Sequence, residues 1–149
     1  MPLHYFAYGS NLDLEQMEER CPEAELVGPG VLHDYTLAFG GHSPHWEGAP
    51  ATIFPQEDRH VPGLVYRLPF TELRMLDFYE GHPNRYERRQ RSIEHPAGHT
   101  RDAHVYVKET NGLYGVPPES YRSVLREAYE ELGFEIDILE RAVALGRGA

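Results

Sequence analysis

The stretch YFAYGSN, residues 5–11, ends an aromatic and apolar run abruptly at Gly9-Ser10-Asn11. Such a run, bounded by a turn signal, predicts a short, fully buried strand over residues 3–8. Ser10, Asn11 and Asp13 are each suited to cap a helix over LEQMEER, residues 14–20, which must end before Pro22. The junction therefore has two readings. It is a strand–turn–helix corner with good caps, or it is a loop built to approach a ligand. In the second reading Gly9 permits a positive φ and a close approach to a ligand, and amides at the positive end of the helix face an anion or a developing oxyanion. The spacing is that of neither a Walker loop nor a Rossmann fingerprint.

Working outward, VLHDYTLAF (31–39), APATIF (49–54) and VPGLVYRL (61–68) alternate as strands do. Between the first two lies GGHSPHWEG (40–48), whose glycines and proline predict a loop. Thr71 is expected to cap a helix running to Tyr79, with Leu73, Leu76 and Tyr79 on one face. Strands are expected over 85–93 and 103–109, separated by the polar turn HPAGHT. Pro117-Pro118 opens a helix with Tyr121, Val124, Ala128 and Leu132 as its buried stripe, closed by Gly133. A last short helix turns Ile136, Leu139 and Val143 inward, with Glu135 and Asp137 in its first turn. Strands that come consecutively, with one helix interposed and two at the end, predict an α+β fold. Its expected form is a small mixed, barrel-like β-sheet flanked by helices. No repeat, low-complexity tract or linker breaks the chain, so one domain over 1–149 is expected.

The chain is long enough for a proper hydrophobic core: of its 149 residues, 40% are hydrophobic and 26% charged. No apolar run approaches the roughly 20 residues that span a bilayer. The N-terminus has no signal-peptide pattern, so a cytoplasmic location is expected. Cys21 is the only cysteine and can form no internal disulfide.

The formal net charge of −10 is unevenly spread: ten acidic residues and one basic one, Arg20, lie between Met1 and Asp58. An acidic chain repels nucleic acid and anionic lipid, so neither is an expected partner. The segment containing Arg85, Arg88, Arg89, Arg91 and Arg101 reads as a charged strand facing water. Thirteen Arg to one Lys, Lys108, suggests a GC-rich bacterial genome.

Chemistry enters with LDFYEGHP, residues 76–83. Gly81 and Pro83 stop the helix, which leaves Glu80 in its last turn or at its C-cap. The last carbonyls carry partial negative charge, so an anion there is disfavoured. Desolvation by Phe78 and Tyr79 would act in the same direction. A carboxyl with a raised pKa suits a general base or acid working near neutrality, although many helices end in an exposed Glu that does nothing. The histidines, among them His42, His45, His95, His99 and His104, lack any metal-ligand spacing and read as surface residues, so no metal is expected. There is no GxSxG elbow. Most of the ten tyrosines are expected in the core, with one or two lining a pocket.

Taken together, YFAYGSNL (5–12), GAPATIFP (48–55), VPGLVYRL (61–68), LDFYEGHPNRY (76–86) and the tail GLYGVPPESYRSVL resemble the γ-glutamylcyclotransferase family, including its AIG2-like and γ-glutamylamine cyclotransferase branches. The resemblance covers nearly the whole chain in order. It implies a small α+β domain with a barrel-like sheet and a pocket beside the YGSN loop. It implies a reaction without metal or other cofactor, in which the α-amino group of a γ-glutamyl compound attacks its own γ-carbonyl. Closure gives 5-oxoproline and releases an amine or amino acid. Glu80 matches the catalytic glutamate, Tyr8, Gly9, Ser10 and Asn11 the segment that binds the glutamyl part, and Tyr86 and Tyr106 pocket tyrosines. The implied partner is a small γ-glutamyl substrate. Substrate selectivity is expected in loop 40–48, where His42, His45 and Trp46 either contact the leaving group or simply lie on the surface. Such an intramolecular cyclisation needs one conformer held and one proton moved, which fits the sparse machinery visible. Two rivals stand beside it: a non-catalytic small-molecule binding domain of the same fold, and a γ-glutamylamide hydrolase or amidotransferase accessory.

Overall fold

The structure is a computed structural model that describes residues 2–41, 48–110 and 112–148. The elements in chain order are β1 (Leu3–Ala7), a 3₁₀ turn (Ser10–Leu12), α1 (Leu14–Arg20), β2 (Glu25–Phe39), β3 (Ala51–Leu68) and α2 (Phe70–Glu80). They continue with β4 (Glu87–Glu94), β5 (Thr100–Val107), α3 (Glu119–Leu132) and α4 (Ile136–Gly146). The five strands close a barrel in the order β1-β3-β2-β4-β5, with β1 returning parallel to β5 at Tyr5↔His104. All other pairs are antiparallel. The α+β architecture is therefore the expected one. Phe6, Phe39, Ile53, Leu64, Leu68 and Val105 fill the barrel, all at most 1% exposed.

Several boundaries differ from the sequence pattern, each for a local reason. The strands expected over 49–54 and 61–68 are one strand, β3. Its polar middle, Pro55 to Arg59, is exposed and still extended, so composition concealed the continuity. Likewise β2 begins at Glu25, because Pro29 and Gly30 are paired with Leu64 and Gly63 rather than making a turn. Strand β4 starts at Glu87, which leaves Arg85 and Tyr86 in the turn after α2. In α2 the N-cap is Pro69, not Thr71. The buried residues of that helix are Glu72, Leu73, Leu76 and Asp77, whereas Tyr79 is 45% exposed. The stripe of α3 uses Tyr121, Leu125, Ala128 and Tyr129, with Val124 half-buried. His42, His45 and Trp46 lie outside the described residues.

The opening junction is more elaborate than a simple cap. Asp13, whose side chain accepts from Glu15 N, caps α1, while Ser10–Leu12 form a separate 3₁₀ turn. Gly9 has φ −113°, so it does not use the positive φ that glycine permits. Its lack of a side chain serves proximity instead: a Cβ there would lie 3.3 Å from the Tyr121 hydroxyl and 3.4 Å from Ala51 Cβ.

Candidate active site

One cavity of about 90 Å³ opens where the end of β1 meets the end of α2. Strand β1 places Tyr5 there, the turn after it places Tyr8, Gly9, Ser10 and Asn11, and α1 contributes Arg20. Tyr86 comes from the turn after α2, and Tyr106 from β5. Glu80 reaches the same cavity because α2 stops at that point. Gly81 takes the left-handed conformation at φ 69°, and His82 N donates to Asp77 O at 2.9 Å to close the helix. All of the predicted site residues, namely Tyr8, Gly9, Ser10, Asn11, Glu80, Tyr86 and Tyr106, thus line one space.

The electrostatics of that space are set by tyrosines that direct their protons elsewhere. Tyr8 donates to the Tyr106 carbonyl, Tyr86 to the Ala51 carbonyl at 2.6 Å, and Tyr106 to Asp77 Oδ1 at 2.7 Å. Tyr121 accepts the Ala51 N–H at 3.0 Å. Among the described residues, Tyr8, Tyr86 and Tyr106 give no hydrogen bond to Glu80. The Glu80 carboxyl is half-buried among aromatic rings and makes no hydrogen bond or ion pair among the described residues. Burial pushes its pKa up to about 7, opposed by the nearby Arg20 charge. The negative charge of Glu80 in turn helps to raise Tyr5, Tyr8, Tyr86 and Tyr121, all already raised by burial.

The sequence reading missed several neighbours. Tyr5 sits deeper in the same run and is 4% exposed, yet it lines the cavity. Arg20 lies 4.7 Å from the Tyr79 ring centroid, at the cavity wall. Lys108 stands 5.5 Å from the Tyr86 ring centroid, and Arg85 also lines the space. Neither Lys108 nor Arg85 has a carboxylate partner among the described residues. No local pattern separates Tyr5 from the rest of its buried run, and nothing local in the sequence marks Lys108. Among the described residues, no group of three His, Cys, Asp or Glu is placed to hold a metal ion.

The sequence and the fold have known counterparts. The sequence model of a family described as gamma-glutamyl cyclotransferase, AIG2-like, matches residues 5–123. The chain belongs to that family. It is similar to the γ-glutamylcyclotransferase of Homo sapiens, at 30% identity over 146 residues, covering 95% of this chain and 77% of the relative. A solved γ-glutamyl cyclotransferase superposes with a TM-score of 0.84 at 27% identity, covering 95% of this chain and 86% of the other. A yeast γ-glutamyl cyclotransferase specific to glutathione shares the fold at a TM-score of 0.65 and 12% identity, covering 99% and 96% of the two chains. Family membership supports γ-glutamyl cyclotransferase chemistry as the class of activity.

Proposed function

We propose that this protein cyclises γ-glutamyl amino acids or peptides to 5-oxoproline, with Glu80 as the general base and acid. One observation carries the reading: an unpartnered carboxyl with a pKa of about 7 shares a cavity with the Gly9–Asn11 turn. A carboxyl poised near neutrality can take a proton and return it within one turnover. Glu80 accepts a proton from the substrate α-ammonium, and the freed amine attacks the γ-carbonyl carbon. A new N–C bond closes the five-membered ring as charge gathers on the carbonyl oxygen. The amide C–N bond then breaks, Glu80 returns the proton to the departing nitrogen, and the ring nitrogen gives up its second proton through Glu80 to the released amine, which leaves as an ammonium. Because nucleophile and electrophile belong to one molecule, holding the folded-back conformer supplies much of the acceleration. Lys108 and Arg85 support a leaving group that bears a carboxylate, as an amino acid or peptide does and a simple amine does not.

The test is incubation with a panel of γ-glutamyl dipeptides, γ-glutamyl peptides and γ-glutamylamines, with 5-oxoproline as the readout. The expected outcome is turnover of the carboxylate-bearing members ahead of the amines. Binding of several members with turnover of none would establish the non-catalytic binding domain instead.

A further inference from the structure

Hydrogen bonds beneath the cavity have a direction, and one residue fixes it. Arg20, the only basic residue up to Asp58, points Nη1 at Asn11 Oδ1 across 3.2 Å. A guanidinium only donates, so the Asn11 atom facing it must be oxygen. The Asn11 Nδ2 is thereby turned toward Tyr5 and donates to the phenolic oxygen at 2.9 Å. Gln16 donates through Nε2 to the same Asn11 oxygen at 2.9 Å and to Ser10 Oγ at 2.8 Å. The hydroxyl oxygens of Tyr5 and Ser10 are both supplied from below. Each hydroxyl also owns one proton, and neither gives it to a protein acceptor among the described residues. Both face the cavity. This contrasts with Tyr8, Tyr86 and Tyr106, whose protons go to protein oxygens.

We propose that Arg20, acting through Asn11 and Gln16, is a positioning residue that makes Tyr5 and Ser10 hydrogen-bond donors toward a negatively charged oxygen of the substrate. A hydroxyl alone is ambivalent and can present either a proton or a lone pair. Lone pairs would repel the glutamyl carboxylate and the oxygen that gains charge during ring closure. Protons fixed in place before the substrate arrives stabilise either one without reorganisation. The proposal rests on the cyclotransferase reading for the identity of that oxygen. The direction of the relay rests on the obligate donor alone.

The experiment uses the full chain, γ-glutamyl-L-alanine as the probe substrate, and the variants Arg20→Met, Arg20→Lys and Tyr5→Phe. Arg20→Met is expected to lower kcat/KM at least tenfold, and Arg20→Lys, which keeps a charged donor, to recover most of the loss. Tyr5→Phe is expected to cost about tenfold in the wild type, the lower end for one oxyanion donor being greater still, and almost nothing further once Arg20 is Met. A rise in KM places the substrate carboxylate against these hydroxyls, a fall in kcat places the developing oxyanion there, and either supports the relay. Strictly multiplicative losses in the double variant overturn it. An independent readout is hydrogen exchange of the Asn11 and Gln16 carboxamides by NMR. Exchange should be slowed in the wild type and in Arg20→Lys, and fast in Arg20→Met. Unchanged exchange in Arg20→Met overturns the relay even in an active enzyme. If the wild type turns over no γ-glutamyl compound, the cyclotransferase reading fails, while the carboxamide signals still decide the relay. Should Arg20→Met not fold, Gln16→Leu combined with Ser10→Ala decides by the same criterion.

Discussion

Asp77 and Glu80 stand one helical turn apart on α2, and their surroundings could hardly differ more. Asp77 is held on every side: Arg88 Nε lies 2.9 Å from Oδ1, Tyr106 donates to the same oxygen at 2.7 Å, and Arg74 Nε lies 3.7 Å from Oδ2. Glu80 faces the cavity with no such partner among the described residues. One helix thus carries a carboxylate fixed as structure and another left poised. A carboxylate oxygen already engaged by a phenol and a guanidinium has fewer lone pairs free to take up a proton. The partnered residue keeps the helix end in place, and the lone one is available for proton transfer.

The largest test of this contrast is Glu80→Gln. Removing a positioned general base typically costs about 10² to 10⁴ in rate. The expected outcome is a loss of that size in kcat with folding intact, measured by 5-oxoproline release and circular dichroism. An active Glu80→Gln enzyme would transfer the role to another group. The same pKa predicts that kcat/KM of the wild type falls tenfold per unit below about pH 7, where Glu80 becomes protonated.

That pKa also makes a stability prediction. Glu80 has its pKa raised from 4.5 to about 7 in the folded state, so between those values the native protein binds more protons than the unfolded chain. Stability must therefore decline as pH rises through that window, by no more than about 3 kcal/mol. Glu80→Gln escapes this cost. Its melting temperature should exceed that of the wild type at pH 8 and match it near pH 4. Equal melting temperatures at pH 8 would mean that the ionised carboxylate is well solvated, and the contrast with Asp77 would shrink.

How much of this contrast was legible in sequence depends on which partner is considered. The place of Glu80 at the cavity was readable because its cause is local: Gly81 and Pro83 end the helix beside it. The YGSN turn was readable for the same reason: of the two properties glycine permits there, a positive φ and a close approach, Gly9 uses the second. Asp77 was not readable. Its partners Arg88 and Tyr106 lie on β4 and β5 and are brought to it only when the barrel closes. The arginine-rich strand therefore looked uniformly solvated, whereas Arg88 turns inward and Arg91 donates to the Tyr35 hydroxyl at 2.8 Å. The α+β class was legible from element order. The length of β3 was not, since Pro55 to Arg59 are polar for lying outside the core, not for leaving the sheet.

Asp77→Asn tests the structural side of the pair. Asparagine can still accept from the Tyr106 hydroxyl but loses the charge that balances Arg88, whose side chain is only 19% exposed. A cost of about 2 kcal/mol in unfolding free energy is expected, because a largely buried charge is left uncompensated. The pH dependence of kcat/KM should persist. A large loss of kcat without loss of stability would make Asp77 a participant in the chemistry.

The smallest effect separates the partners of Asp77 from one another. Arg74 approaches Oδ2 at 3.7 Å from a side chain that is 66% exposed, while Arg88 and Tyr106 both meet Oδ1 at close range. An exposed pair three residues apart on a helix gains little, since water screens the charges and two long side chains must be ordered. Arg74→Ala should therefore change the unfolding free energy by no more than about 0.5 kcal/mol in urea titration. Neither kcat nor the pH profile should move. A loss comparable with that of Asp77→Asn would show that Asp77 is held by its own helix and not by the barrel, and closure of β4 and β5 against α2 would no longer account for the contrast with Glu80.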